Sequence, residues 1–223
     1  PGQEAIWASP WGRAFFQALA RHRRLITFDV RGLGASQRDA DRSRPEQMSA
    51  DIAAVADHLR LDRFELFSEG PVVCTMAVMY ADAYPGRVSK LVLFSPSVAS
   101  SASVVAAAET ARASYPLFLR ALATLYFPSG PPEAQRWFST AARTSFNAKN
   151  LAAALSWTYD LAPILPRLTS PVLILHRKRS QVADPAQVRA VASLIPGARL
   201  VTLDGDAGAP YWDHEQFIDI MYD

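Results

Sequence analysis

Five short, mostly apolar runs constrain this chain most: Leu25-Ile26-Thr27-Phe28, Phe64 to Phe67, Leu91-Val92-Leu93-Phe94, Val172-Leu173-Ile174-Leu175 and Leu200-Val201-Thr202-Leu203. Taken together they lack the strict apolar–polar alternation of strands with one wet face, and each is too short for a buried helix. The stretches between several of them repeat their apolar residues at helical spacing. Trp11, Phe15, Phe16 and Leu19 follow the cap signal Ser9-Pro10, and Ile52, Val55, Ala56 and Leu59 share one face. Pro71 to Ala83 is apolar nearly all round, which marks a helix buried on most sides. Helices are also expected from Pro185 to Ile195 and from Trp212 to Tyr222. Short apolar strands separated by helices predict an α/β chain, with a mostly parallel sheet covered on both faces.

One stretch breaks the alternation. From about residue 96 to 168 the chain reads as several helices without a strand. It is rich in aromatic residues, among them Tyr115, Phe118, Tyr126, Phe127, Trp137, Phe138, Phe146, Trp157 and Tyr159. The organisation expected is therefore a core in two parts, 1–95 and 169–223, with a helical cap at 96–168 inserted between them. At 223 residues this suits one domain with an insertion. Half of the residues are apolar and a fifth charged, so a sizeable core is expected and disorder is not. The net charge of +2 is too small for a nucleic-acid surface. All but three of the 23 basic residues are arginine, which with the many alanines fits the codon bias of a GC-rich genome rather than a binding surface. The single cysteine, Cys74, excludes an internal disulfide and fits a cytoplasmic setting. No run is long enough to span a bilayer, no signal peptide is legible, and no membrane contact is expected.

Specific phrases then point to a family. Phe28-Asp29-Val30-Arg31-Gly32-Leu33-Gly34-Ala35-Ser36 resembles the Asp-x-Arg-Gly-x-Gly-x-Ser loop after the fourth strand of α/β hydrolases. Tyr84-Pro85-Gly86-Arg87-Val88, Ser170 to Arg177 and Ile195-Pro196-Gly197-Ala198-Arg199-Leu200 resemble segments at the sixth, seventh and last strands of one subgroup. Trp7, Pro10, Phe15, Leu19-Ala20 and Arg24-Leu25-Ile26 keep its spacing upstream. That subgroup comprises the hydrolase-like modules often fused to bacterial adenylate or guanylate cyclases and helix-turn-helix regulators. The resemblance implies an α/β-hydrolase fold with a helical cap, and a fused or associated signalling domain as partner. It also implies that Pro1-Gly2 is the loop after the third strand. The first three strands would then be absent from this sequence, and the natural protein is expected to be longer at its N-terminus. Leu25–Phe28 and Phe64–Phe67 are accordingly expected to re-pair directly or to have the gap between them filled by another chain.

The resemblance also locates three catalytic positions. The nucleophile belongs on a tight strand-to-helix turn, which must lie within Leu66 to Val72. Read without gaps, the strand puts Gly70 there; matched instead to the subgroup's Ser-Glu-Gly-Gly-Pro phrase, it puts Ser68 there. The second leaves Leu66 where a small residue should sit and the following helix longer than the pattern; Gly70 is preferred, because one small insertion then suffices. Counting past His176-Arg177 puts Ser180 at the acid position, with Asp184 nearby as a helix cap. Gly205-Asp206-Ala207-Gly208 puts Gly208 where the histidine belongs. A serine hydroxyl needs a base within reach and a third group to orient that base. The expectation is a non-catalytic ligand-binding or regulatory module; the alternative is an ester or lactone hydrolase with an atypical site. His176, His214, His22 and His58 are read as non-catalytic, Cys74 as an inert core thiol, and no metal or cofactor is expected. A pocket between cap and sheet edge is expected to take an apolar small molecule, with Ser68, Glu69, Tyr126, Trp157 and Tyr211 as lining candidates.

Overall fold

Four of the five apolar runs pair into one sheet in the computed structural model, which describes residues 1–41, 44–100 and 102–222. The strands are β1 (Phe64–Glu69), β2 (Val88–Phe94), β3 (Val172–Arg177) and β4 (Arg199–Leu203). All are parallel and lie side by side in that order. Helices α1 (Gln3–Ala8), α2 (Pro10–Ala20) and α3 (Pro45–His58) precede the sheet, and α4 (Gly70–Ala83) links β1 to β2. Between β2 and β3 come α5 (Ala102–Ala113), α6 (Tyr115–Tyr126), α7 (Pro132–Ser145) and α8 (Ala148–Leu155). The chain closes with α9 (Pro185–Leu194), β4 and α10 (Glu215–Tyr222).

The absence of alternation in the strands now has its cause. Successive strand side chains point to opposite faces. Val92, Phe94, Leu173, Leu175 and Leu203 enter one buried cluster with Ile6 of α1, Phe15 of α2, Phe217 of α10 and much of α6 and α7. Leu91, Leu93, Val172 and Ile174 enter another with Ile52 of α3, Cys74 and Val78 of α4, and Val188 of α9. Both faces are dry, so both sets must be apolar. Local signals start the helices as expected: Pro10 opens α2 while Ser9 Oγ accepts the Gly12 N–H at 3.0 Å. The last helix begins at Glu215 rather than Trp212, because residues 210–213 form turns.

Leu25–Phe28 corrects the sequence reading. A strand was expected there, but the segment pairs with no strand among the described residues. β1 has β2 as its one ladder partner, so the expected direct re-pairing does not occur. Phe28 alone turns its ring inward, against the clusters around α3 and α4. An apolar run becomes a strand only when a neighbour takes its N–H and C=O groups, which the run itself cannot specify. The loop that follows is tied as its sequence suggests. Asp29 accepts the Gln3 and Ala35 N–H groups at 2.9 and 3.0 Å, while Arg31 reaches outward to Asp51 of α3 at 2.6 Å. A side chain on Gly34, at φ +53°, would lie 2.0 Å from the Asp29 carboxylate, so only glycine serves there.

The four helices between β2 and β3 pack on one another and over the first sheet face. The two chain segments that join them to the core meet at a bridge between Ala99 and Asp160. Trp157 lies in the returning segment, in a small buried cluster with Val30, Met48, Met76 and Ala154. Replacing Trp157 with Ala is therefore expected to cost roughly 3–5 kcal/mol of stability. Urea denaturation read by fluorescence and circular dichroism checks this, and a loss under 1 kcal/mol would show that the ring does not hold the cap to the core.

Candidate functional site

β1 passes into α4 with no intervening loop, and the turn between them is Gly70, at φ +76°. This left-handed conformation is costly for any residue with a Cβ, and here glycine occupies it. The turn therefore presents no side chain at its tip. The next residue is Pro71, which has no N–H to offer. A turn of this type ordinarily uses that N–H to stabilise an oxyanion. The N-terminal loop is also engaged elsewhere: Gly2 N–H bonds Ser145 Oγ at 2.7 Å and Gln3 N–H bonds Asp29. Pro71 was visible in the sequence, and its meaning follows from one missing hydrogen.

The polar groups flanking the turn point away from one another. Ser68 is buried, and its hydroxyl lies under α4, 3.4 Å from Cys74 Sγ. Burial pushes the Cys74 thiol up to about 12, which keeps it protonated and inert. Glu69 keeps some contact with solvent, but protein crowded round its carboxyl pushes it up to about 7. None of the four histidines hydrogen-bonds to Ser68, Glu69 or Cys74 among the described residues. His22 packs on Tyr222, His214 lies edge-on to Phe15, His58 is exposed and His176 pairs with Ser95. Asp184 caps α9 through the Ala186 N–H at 2.8 Å, and Asp206 accepts from Ser129 at 2.5 Å. No group of three or more His, Cys, Asp or Glu among the described residues is placed to hold a metal ion.

Tyr126, at the C-terminal end of α6, brings two of the three expected positions together. A Cβ on Gly70 would meet the Tyr126 hydroxyl at 3.6 Å, and the Gly208 N–H donates to the Tyr126 carbonyl at 2.8 Å. The Tyr126 ring stacks on Phe138 of α7 with centroids 4.6 Å apart. Tyr211 lies in the same cluster, 1% exposed, edge-on to Trp137, and its buried hydroxyl has no partner. Burial raises both phenols well above their ordinary range. Of the five lining candidates, Tyr126 and Tyr211 pack together near the turn, with Glu69 close enough to bear on both. Ser68 faces the other side of the sheet, and Trp157 belongs to a separate cluster bordering a surface cleft with Arg44, Met79 and Tyr159. Beside Gly208 the space is taken by Val182 and the Tyr126 backbone.

Two features escaped the sequence reading. Arg177, the last residue of β3, is 1% exposed. Its guanidinium donates to the carbonyls of Ala207, Ala209, Trp212 and Asp213, fixing the loop that carries Gly208. Ser95 follows β2 at φ +54°, fully buried, with Oγ 3.1 Å from His176 Nδ1. These residues lie 81 positions apart, and no local pattern links them.

A model of the alpha/beta hydrolase fold family matches residues 1–155. No curated protein matches the chain by sequence. Among solved structures, a hydrolase from Oleispira antarctica superposes with a TM-score of 0.86 at 17% identity, over 99% of this chain and 85% of that one. An esterase from Exiguobacterium antarcticum gives 0.86 at 22%, over 100% and 87%. The enol-lactonase from Burkholderia xenovorans LB400 gives 0.80 at 24%, over 98% and 85%. At these identities the likeness is one of fold.

The packing at Gly208 makes a direct test. A Cβ there would fall 2.2 Å from Val182 Cγ2, and valine is too stiff at χ1 to yield easily. Gly208→Ala is expected to destabilise the protein by about 1–3 kcal/mol, and adding Val182→Ala should recover part of that loss. A double-mutant cycle by chemical denaturation measures the coupling. Strict additivity would mean that the two residues do not share this space.

Proposed function

The chain belongs to the α/β-hydrolase fold family, and on that footing we propose that it is a non-catalytic member, acting as a ligand-binding or regulatory module. The observation that carries this reading is the turn itself. Gly70 has no side chain to attack a substrate, and Pro71 has no N–H to stabilise the charge that an attack would create. Ser180 and Gly208, at the positions where an acid and a histidine are expected, add to it. Glu69 is no substitute: an acyl-glutamate without a nearby base has no ordinary route to hydrolysis.

The module works beside a signalling domain, fused to it or associated with it; the subgroup resemblance of the strand-flanking phrases supports this. Its guest is a small, largely apolar molecule that takes the space Tyr126 now fills. The support is chemical. Phe127, Phe138, Trp137 and Tyr211 give an apolar surround, and the unpartnered Tyr211 hydroxyl offers one donor to a guest's acceptor. The competing reading, an ester or lactone hydrolase, is favoured by the names of the esterase and lactonase structures of similar fold. It would need a different nucleophile, and the one Ser–His contact hydrogen-bonded among the described residues, Ser95–His176, is closed to solvent.

Turnover assays with short p-nitrophenyl esters and a small lactone discriminate. The native protein should show no rate above buffer, and Gly70→Ser should remain equally inactive, because no base reaches the new hydroxyl. A saturable rate in the native protein that disappears in Ser95→Ala would overturn the proposal.

A further inference from the structure

Five aromatic rings form a closed circuit across the seam between the helical cap and the core. Trp11 of α2 and Tyr211 and Trp212 of the loop after β4 belong to the core, while Phe127 and Trp137 belong to the cap. Trp11 meets Trp137, Trp137 meets Tyr211, Tyr211 meets Phe127, Phe127 meets Trp212 and Trp212 meets Trp11, with centroids 5.2–6.5 Å apart. Two of these rings carry a donor that the packing leaves unused. Trp11 Nε1 and the Tyr211 hydroxyl are both buried, and neither has a hydrogen-bond partner among the described residues. Both rings stand edge-on to Trp137, at 86° and 84°. A buried donor left unpaired costs the free energy of its lost hydration, and two around one ring call for a physical reason.

The two donors sit on the core, and Trp137, the ring in contact with both, sits on α7 of the cap. Tyr126 is tied to the same helix, because its ring stacks on Phe138, the neighbour of Trp137. A guest that parts Tyr126 from the turn by shifting α6 and α7 therefore uncovers Trp11 Nε1 and the Tyr211 hydroxyl together. What they ask of that guest is set by their chemistry. A phenol can give or accept, but an indole N–H can only give. The charged group that bears on both Tyr126 and Tyr211 is Glu69, so an anionic guest would meet a like charge, and Arg177 nearby is spent on four backbone carbonyls. A primary ammonium would bring more donors to a place that already has two, and a quaternary ammonium would bring no acceptor. A flat, uncharged molecule with carbonyl oxygens suits both the rings and the donors.

We propose that this seam selects an uncharged, flat guest bearing hydrogen-bond acceptors, with Trp11 Nε1–H and the Tyr211 hydroxyl as the donors that receive them. The inference rests on the reading that a small guest displaces Tyr126, and it adds what that guest must carry. Selection arises by difference. A hydrocarbon of the same outline gains the rings but leaves both donors unpaired, whereas the acceptor-bearing guest satisfies them.

The test titrates the full chain with N-methylphthalimide, which is flat and neutral with two carbonyl acceptors, and with 2-methylindene, which has a similar outline and none. An anion, 1-naphthoate, and a cation, phenyltrimethylammonium, complete the set. Calorimetry should give N-methylphthalimide an affinity about tenfold or more above that of 2-methylindene. Tyr211→Phe and Trp11→Phe should each weaken N-methylphthalimide by about three- to tenfold and leave 2-methylindene within about twofold. The Trp11 indole proton, assigned by triple-resonance NMR, should move downfield with N-methylphthalimide and not with 2-methylindene, while that of Trp7 stays in place with both. Should Trp11→Phe fail to fold, Tyr211→Phe and the native indole shift decide. Equal affinity for the two neutral probes, tighter binding of either charged one, or an unmoved Trp11 indole refutes the donor pair and leaves a guest site standing. Binding of none of the four removes the guest reading itself, and the donor pair with it.

Discussion

Arg177 puts a full positive charge inside the protein and surrounds it with carbonyl oxygens rather than a carboxylate. Burying a guanidinium is costly unless all its donors are engaged. Here the oxygens of Ala207, Ala209, Trp212 and Asp213 engage it, and the Phe94 ring lies beneath it at 5.8 Å. The loop after β4 is thereby held as a single piece. That fixes Gly208 against Val182 and Tyr126, seats Tyr211 among the cap aromatics and sets the start of α10. In a catalytic relative this loop would have to deliver a histidine to the strand-to-helix turn. Here it is instead a structural clamp.

The turn and the clamp give the same answer from opposite sides. Gly70 offers no side chain and Pro71 no N–H from the sheet side, while the Tyr126 hydroxyl lies beside the turn from the cap side. What remains at the turn is a set of aromatic rings with a few poorly satisfied polar atoms. On the non-catalytic reading proposed above, such a site is suited to binding. Catalysis requires groups aimed at charge that develops, whereas binding needs shape and one or two partners.

Much of the sheet was legible because burial on both faces writes itself into each strand. The misread segment, Leu25–Phe28, has the same composition as a strand but no neighbour, and pairing is not a local property. At the site, counting from strand ends pointed to Gly70, which forms the turn after β1, and to Gly208, which bonds the Tyr126 carbonyl. Counting could not say what fills the space beside them. Val182 and Tyr126 reach Gly208 from distant parts of the chain. Composition grouped Trp157 with Tyr126, although the fold puts them in separate clusters. A charged residue ending a strand, such as Arg177, is normally solvated; its burial depends on a loop that returns some thirty residues later.

The central claim is that no side chain in this protein acts as an activated nucleophile. The most direct measurement is the mass of the intact native protein after incubation with a serine-reactive fluorophosphonate. The account predicts an unchanged mass under conditions that fully label an active esterase run in parallel. Stoichiometric addition of one phosphonyl group, mapped by peptide sequencing to Ser68, Ser95 or any other serine, would contradict it.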